Sequence, residues 1–155
     1  MTNNIFTFKS EDEIILAAKD IIDKQLNLAI SDNKFCDPQS VSNYLILNFK
    51  QQKHEQFGAI FLNSANKIIK DEILFNGSIN SAQVYPRTVA QKALKYNAAA
   101  IVFYHNHFTN TEPSESDKNL TTVLIKTLKL IDVKVLDHFI VCGKNTFSFA
   151  SHQLI

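Results

Sequence analysis

Residues 98–107 read AAAIVFYHNH, a run of seven apolar residues ending on two histidines, and the rest of the chain arranges itself around that run. At seven residues, Ala98 to Tyr104 falls far short of the roughly 20 needed to span a bilayer. It suits a strand buried on both faces, which requires covering elements on each side. The flanks supply them. Pro86 opens a helical stretch with Val89, Ala90, Ala93 and Leu94 on one side and Asn97 at its stop. Ser114 begins another, with Leu120, Val123, Leu124, Thr127 and Leu128 at helical period. Upstream, GAIFL (58–62) and KIIKDEILF (67–75) read as two strands joined by a tight polar turn at Asn63 to Asn66. Downstream, VKVLDHFIVCG (133–143) and TFSFA (146–150) form a hairpin about Gly143, Lys144 and Asn145.

Towards the N-terminus, Ser10 and Glu13 have capping-box spacing. Ile14, Ala18, Ile21, Ile22 and Leu26 follow at helical period, predicting a helix over about residues 11–27. Asp37 before Pro38 is a cap followed by a proline at the first helical position. Val41, Tyr44, Leu45 and Phe49 give this second helix an apolar face, and it should end near Lys53. No Pro, Gly or Ser cluster separates two hydrophobic regions, and no repeat is evident. The expected architecture is a single α/β (α+β) domain, a mixed β-sheet flanked by helices, spanning residues 37–155 behind a helical extension at 1–36.

Composition narrows the function. The 155 residues are 45% hydrophobic and 20% charged with only three glycines and three prolines, enough to bury one core and wrong for a disordered chain. Sixteen cations against fifteen anions leave a formal charge of +1, too balanced for a protein held mainly by phosphates. Arg87 is the one arginine, so paired guanidiniums are not available to read guanines. Glu11, Asp12 and Glu13 precede any apolar stretch, the wrong order for a secretory signal. Cys36 and Cys142 are isolated thiols without CxxC spacing, which points to a reducing cytoplasm and to roles as small apolar residues.

The chemistry concentrates at His105-Asn106-His107 and at Ser114 to Asp117. Residues two apart on a strand point to one side, so His105 and His107 present both imidazoles just past the buried run. Asp117 lies one turn into the next helix and brings a carboxylate. Two imidazoles and a carboxylate leave a fourth position for water, the pattern of a catalytic zinc rather than a structural one. Each part also has a plainer reading. His-x-His at a strand end is commonly a surface pair, and Ser114 with Asp117 is what a helix N-terminus wants. The order of buried strand, HxH, polar loop and SxxD is much rarer than its parts.

That combination resembles the JAB/MPN (JAMM) metalloproteases, specifically their RadC-like bacterial branch. The resemblance covers about residues 37–151 and is carried by EQFGAIFLN (55–63), DEILFNGSINSA (71–82) with YPR (85–87), NAAAIVFYHNH (97–107), SESD (114–117) and VLDHFIVCGKNTFSF (135–149). It implies an MPN/JAB-like fold of cytidine-deaminase-like architecture and one Zn2+ per chain. His105, His107 and Asp117 would be the ligands, Glu55 the acid/base, and Ser114 the neighbour of the metal-bound water. The family's seven residues between the second His and the Ser are six here, Phe108 to Pro113, and its HNHPSG reads HNHFTN. Because the Ser-to-Asp spacing is intact, cap and ligand should shift together.

The implied activity is hydrolysis of an amide in a peptide or protein substrate. Glu72 is a second candidate base. Its neighbours Lys70 and Asp71 suggest a solvated hairpin, so Glu55 is preferred. Asp137 and His138 are candidates for a hydrogen bond to a metal ligand, below a plain structural role. Two other readings stand beside the hydrolase. One is a DNA-repair accessory, the label long carried by the RadC-like branch, which the charge does not support. The other is a catalytically silent MPN interaction module. Nucleobase deamination is excluded by the absence of PCxxC. The sequence carries no code for a particular substrate or oligomeric state.

Overall fold

A computed structural model describes residues 7, 10–31, 37–48, 54–77 and 84–155. In chain order the elements are α1 (Glu11–Ser31), α2 (Pro38–Asn48), β1 (Gln56–Leu62), β2 (Ile68–Asn76), α3 (Pro86–Lys95), β3 (Ala100–Asn106), α4 (Glu115–Lys129), β4 (Lys134–Cys142) and β5 (Asn145–Ser148). Cys36, Phe49 and Lys53 lie outside the described residues. The five strands form one mixed sheet in the order β2-β1-β3-β4-β5. β3 is its centre, antiparallel to β1 and parallel to β4 across the α4 crossover. All seven residues of β3 are buried, as the apolar run predicts.

Strand alternation divides the core into two. Phe57, Ala59 and Phe61 of β1 and Ile101 and Phe103 of β3 face α3 and α4, where Val89, Ala93, Leu124 and Leu128 cover them. Ile60 and Leu62 with Ala100, Val102 and Tyr104 face the other way, onto Val41, Tyr44 and Leu45 of α2. The helical periods hold but the faces are rotated from expectation. Leu94 is 62% and Val123 47% exposed, and α4 buries Asp117 and Thr121 with Leu124 and Leu128. α1 packs against α2, leaving Ile14 and Ile21 about half exposed.

Local chemistry fixes the ends. The Ser10 side chain accepts from the Glu13 N–H at 3.2 Å, and the Asp37 carboxylate accepts from Gln39 N and Ser40 Oγ. Asn97 takes the left-handed conformation that closes α3, with the Ala98 N–H on the Ala93 carbonyl. The Asn63 side chain accepts from Ala65 N and Lys67 N to shape the β1–β2 turn. Cys142 pairs with Asn145, so the last hairpin turns on two residues, Gly143 and Lys144, and Asn145 belongs to β5. Gly143 has φ +59°, the conformation a glycine-first two-residue turn needs.

On the α2 face a buried carboxylate ties three elements. The hydroxyls of Tyr44 (α2) and Tyr104 (β3) both donate to Asp71 of β2. Burial pushes the Asp71 carboxyl up from its ordinary value, against these two bonds. Tyr104 reaches Asp71 by lying across Gly58, and a Cβ there would fall on its ring. The ring is buried and held at its hydroxyl, so it cannot swing aside. Gly58→Ala is expected to cost about 1–3 kcal/mol through overpacking. A lower midpoint in urea denaturation at unchanged slope would show it, and an unchanged midpoint would contradict the tight approach.

Candidate metal centre

β3 delivers His105 at its carboxyl end, wholly buried, with Phe57 stacked beside it. His107 follows the strand, its N–H bonded to the Val141 carbonyl of β4, and keeps 17% of its side chain exposed. α4 begins across a six-residue loop and brings Asp117, 1% exposed, onto the same point. Crevices beyond the carboxyl ends of strands are where open α/β sheets bind ligands. Six loop residues are enough to bring Asp117 to the two histidines.

The three side chains place their ligand atoms within 4.8 Å of one another, a group able to hold a metal ion. His105 Nε2 is 2.9 Å from His107 Nε2 and 3.5 Å from Asp117 Oδ1. His107 Nε2 is 3.7 Å from Asp117 Oδ2. Bonds of about 2.0–2.2 Å to a tetrahedral zinc set ligand atoms roughly 3.3–3.6 Å apart; His105 Nε2 to Asp117 Oδ1 falls in that range, and the two imidazole nitrogens would part by a few tenths of an ångström.

Asp117 divides its carboxylate. Oδ2 accepts from both the Ser114 N–H at 2.8 Å and the Ser114 hydroxyl at 2.6 Å, while Ser114 Oγ in turn accepts from the Asp117 N–H at 3.1 Å. Ser114 is thus the N-cap and Asp117 the third residue of a complete capping box. Cap and candidate ligand are one device, with Oδ1 directed at His105.

Behind the pair, His105 Nδ1 meets His138 Nε2 at 2.8 Å, and His138 Nδ1 meets Thr121 Oγ1 at 2.6 Å. Burial pushes the His105 imidazole down to about 3, against the pull of Asp117 and helped by His107. Burial likewise holds His138 well below its ordinary value. Both rings are neutral at pH 7, the state that ligates metals. Asp137 points away from this network, accepting from its neighbour His138 N, from Ser148 Oγ and from Ala150 N. It staples β4 to the turn after β5. Of the Asp137–His138 pair, His138 alone touches a histidine of the site.

Glu55 lies just before β1, half-buried. Phe57 pairs with His105 at the last rung of the β1–β3 ladder, and Glu55 lies two residues beyond it, at the end of the sheet from which His107 also leaves. Its backbone is pinned: Glu55 O accepts from Gly77 N at 2.7 Å. The Asn106 side chain brackets it, accepting from Gln56 N at 2.7 Å and donating to His54 O at 3.2 Å. Glu72 is engaged elsewhere, with one oxygen on Lys92 Nζ at 2.5 Å and the other on Tyr96 Oη at 2.8 Å.

The family model for the RadC-like JAB domain matches residues 35–154. The chain belongs to the RadC-like JAB family. It is 50% identical over 125 residues to a UPF0758 protein of Pseudoalteromonas translucida, covering 80% of this chain and 56% of that protein. It is 49% identical over 119 residues to one from Nitrosomonas europaea, covering 76% and 53%. With the UPF0758 protein YfjY of Escherichia coli it shares 42% identity over 122 residues, covering 78% and 76%. The chain spans little more than half the length of the first two relatives. Among the described residues, no helix of this RadC-like domain is long and apolar enough to cross a membrane.

Asn106 and Thr121 carry no signal in the sequence that marks them for the site. Asn106 is the unremarked middle of HNH, and its bracket depends on facing Gln56 across the ladder. Asn106→Ala is expected to speed hydrogen exchange at the Gln56 amide by tenfold or more while leaving Ile60, in the middle of β1, unchanged. Unchanged exchange at Gln56 would show that Asn106 does not hold the Glu55 segment.

Proposed function

We propose that this domain is a zinc-dependent amide hydrolase of the peptidase or isopeptidase type, with His105, His107 and Asp117 as its metal ligands. The observation that supports it most is the convergence of two imidazole nitrogens and one carboxylate oxygen beyond β3, their ligand atoms within 4.8 Å. Two imidazoles and a carboxylate suit zinc better than magnesium or calcium, which favour oxygen donors. When bound with three protein ligands, zinc polarises a carbonyl and lowers the pKa of a water to ~7.

The chain's own residues supply the rest. Ser114 holds Asp117 Oδ2 through two hydrogen bonds, which leaves Oδ1 as the ligating atom. The family resemblance sets its hydroxyl beside the metal-bound water; to steady an oxyanion it would turn its single proton away from Asp117 Oδ2. Glu55, just before β1, would take the proton of the attacking water and return it to the departing amine, a role typically worth about 10² to 10⁴ in rate. Glu72, with both oxygens engaged by Lys92 and Tyr96, is not the base. The near-neutral charge favours a peptide or protein substrate over nucleic acid, and the isolated thiols favour a cytoplasmic setting.

Elemental analysis of protein purified without chelator or nickel tests the centre. About one zinc per wild-type chain is expected, lost in His105→Ala and Asp117→Ala. Glu55→Gln should keep its zinc and lose at least about a hundredfold in cleavage of a peptide library read by mass spectrometry. A wild type that takes up no zinc contradicts the proposal. Zinc bound without turnover of any library member would make the domain a silent interaction module.

A further inference from the structure

His105 can serve a metal through Nε2 only if its proton sits on Nδ1, and the hydrogen bonds behind it determine where that proton is. Thr121 Oγ1 lies 2.6 Å from the Asp117 carbonyl and 2.6 Å from His138 Nδ1. A carbonyl only accepts, so the single hydroxyl proton of Thr121 goes to Asp117 O. Thr121 Oγ1 is then an acceptor, and His138 must donate from Nδ1. His138 Nε2 is left with a lone pair, 2.8 Å from His105 Nδ1, and so receives a proton from it. The proton of His105 is thereby placed on Nδ1, and its Nε2 lone pair faces His107 and Asp117.

We infer that Thr121 and His138 form a directional hydrogen-bond relay that locks His105 in the tautomer able to bind a metal. This rests on the metal-centre reading and names the positioning residues behind one of its ligands. The relay is wholly internal: His105, His138 and Thr121 are each no more than 1% exposed, so water does not compete for their bonds. It is also closed on itself. Asp117 and Thr121 are one helical turn apart on α4, so the residue whose side chain reaches the site also provides, through its backbone carbonyl, the anchor that orients the opposing histidine. The same logic assigns the contact between the two site histidines. With His105 Nε2 bare, the proton in the 2.9 Å contact belongs to His107 Nε2 and must leave that nitrogen when a metal enters.

Thr121→Val keeps the shape of the side chain and removes the acceptor for His138, whereas Thr121→Ser keeps it. Imidazole nitrogen shifts from ¹⁵N NMR of the metal-free full chain read the tautomers directly. The wild type and Thr121→Ser should show His105 protonated at Nδ1 and bare at Nε2, and Thr121→Val should lose that preference. Zinc competition against a chromogenic chelator should show affinity reduced roughly ten- to a hundredfold in Thr121→Val and restored in Thr121→Ser. His105 protonated at Nε2 in the wild type, or a Thr121→Val protein with both tautomer and affinity unchanged, overturns the relay. The tautomer is read without metal, so a wild type with His105 protonated at Nδ1 that takes no zinc supports the relay while defeating the hydrolase reading.

Discussion

The two oxygens of Asp117 have different partners, and the candidate site depends on that division. Oδ2 closes the capping box with Ser114 and so fixes where α4 begins. Oδ1 lies 3.5 Å from His105 Nε2. An isolated carboxylate in a nearly dry pocket would be costly to hold. Two hydrogen bonds from Ser114 and the positive end of the α4 dipole offset that cost. The helix start and the site are stabilised by the same bonds, so the carboxylate's position is tied to the start of α4 rather than to the length of the loop before Ser114.

The sheet makes this arrangement rigid. β3 is covered on one side by α2 and on the other by α3 and α4, and its histidines emerge where that packing ends. On the site face, Phe57 and Phe103 pack against the ring of His138 while Phe57 stacks on His105, so aromatic contacts hold the histidine rings in place. On the opposite face, the Tyr44–Asp71–Tyr104 cluster ties α2, β2 and β3 together. Asn106 ends the strand by turning its amide to the Glu55 segment. Residues 104 to 107 therefore alternate between holding the scaffold and forming the site.

The elements of this fold were legible because their signals are local. The Pro86 start, the Asn97 stop, the Ser114 cap and the two-residue Gly143–Lys144 turn depend on residues a few positions apart. So did the candidate ligands, since HxH at a strand end and SxxD at a helix start each fix two side chains on one side. What was not legible depends on register. Phe103 lies opposite His138 only because β3 and β4 slip by one residue between Ile101 and Val102, which no pattern in either strand announces. Thr121 reads as an ordinary helix residue until that slip brings His138 to it. Helical period likewise predicted α3 and α4 without saying which residues of each stripe meet the sheet, and Leu94 and Val123 turned outward.

The proposed zinc centre takes its protein ligands from two imidazoles and one carboxylate, those of His105, His107 and Asp117. X-ray absorption at the zinc edge of the loaded chain tests it most directly. The expected result is a shell of four light atoms at about 2.0–2.1 Å, outer-shell scattering from two imidazole rings, and no sulfur near about 2.3 Å. A sulfur scatterer, drawing on Cys36 or Cys142, or a shell without imidazole scattering, would contradict it.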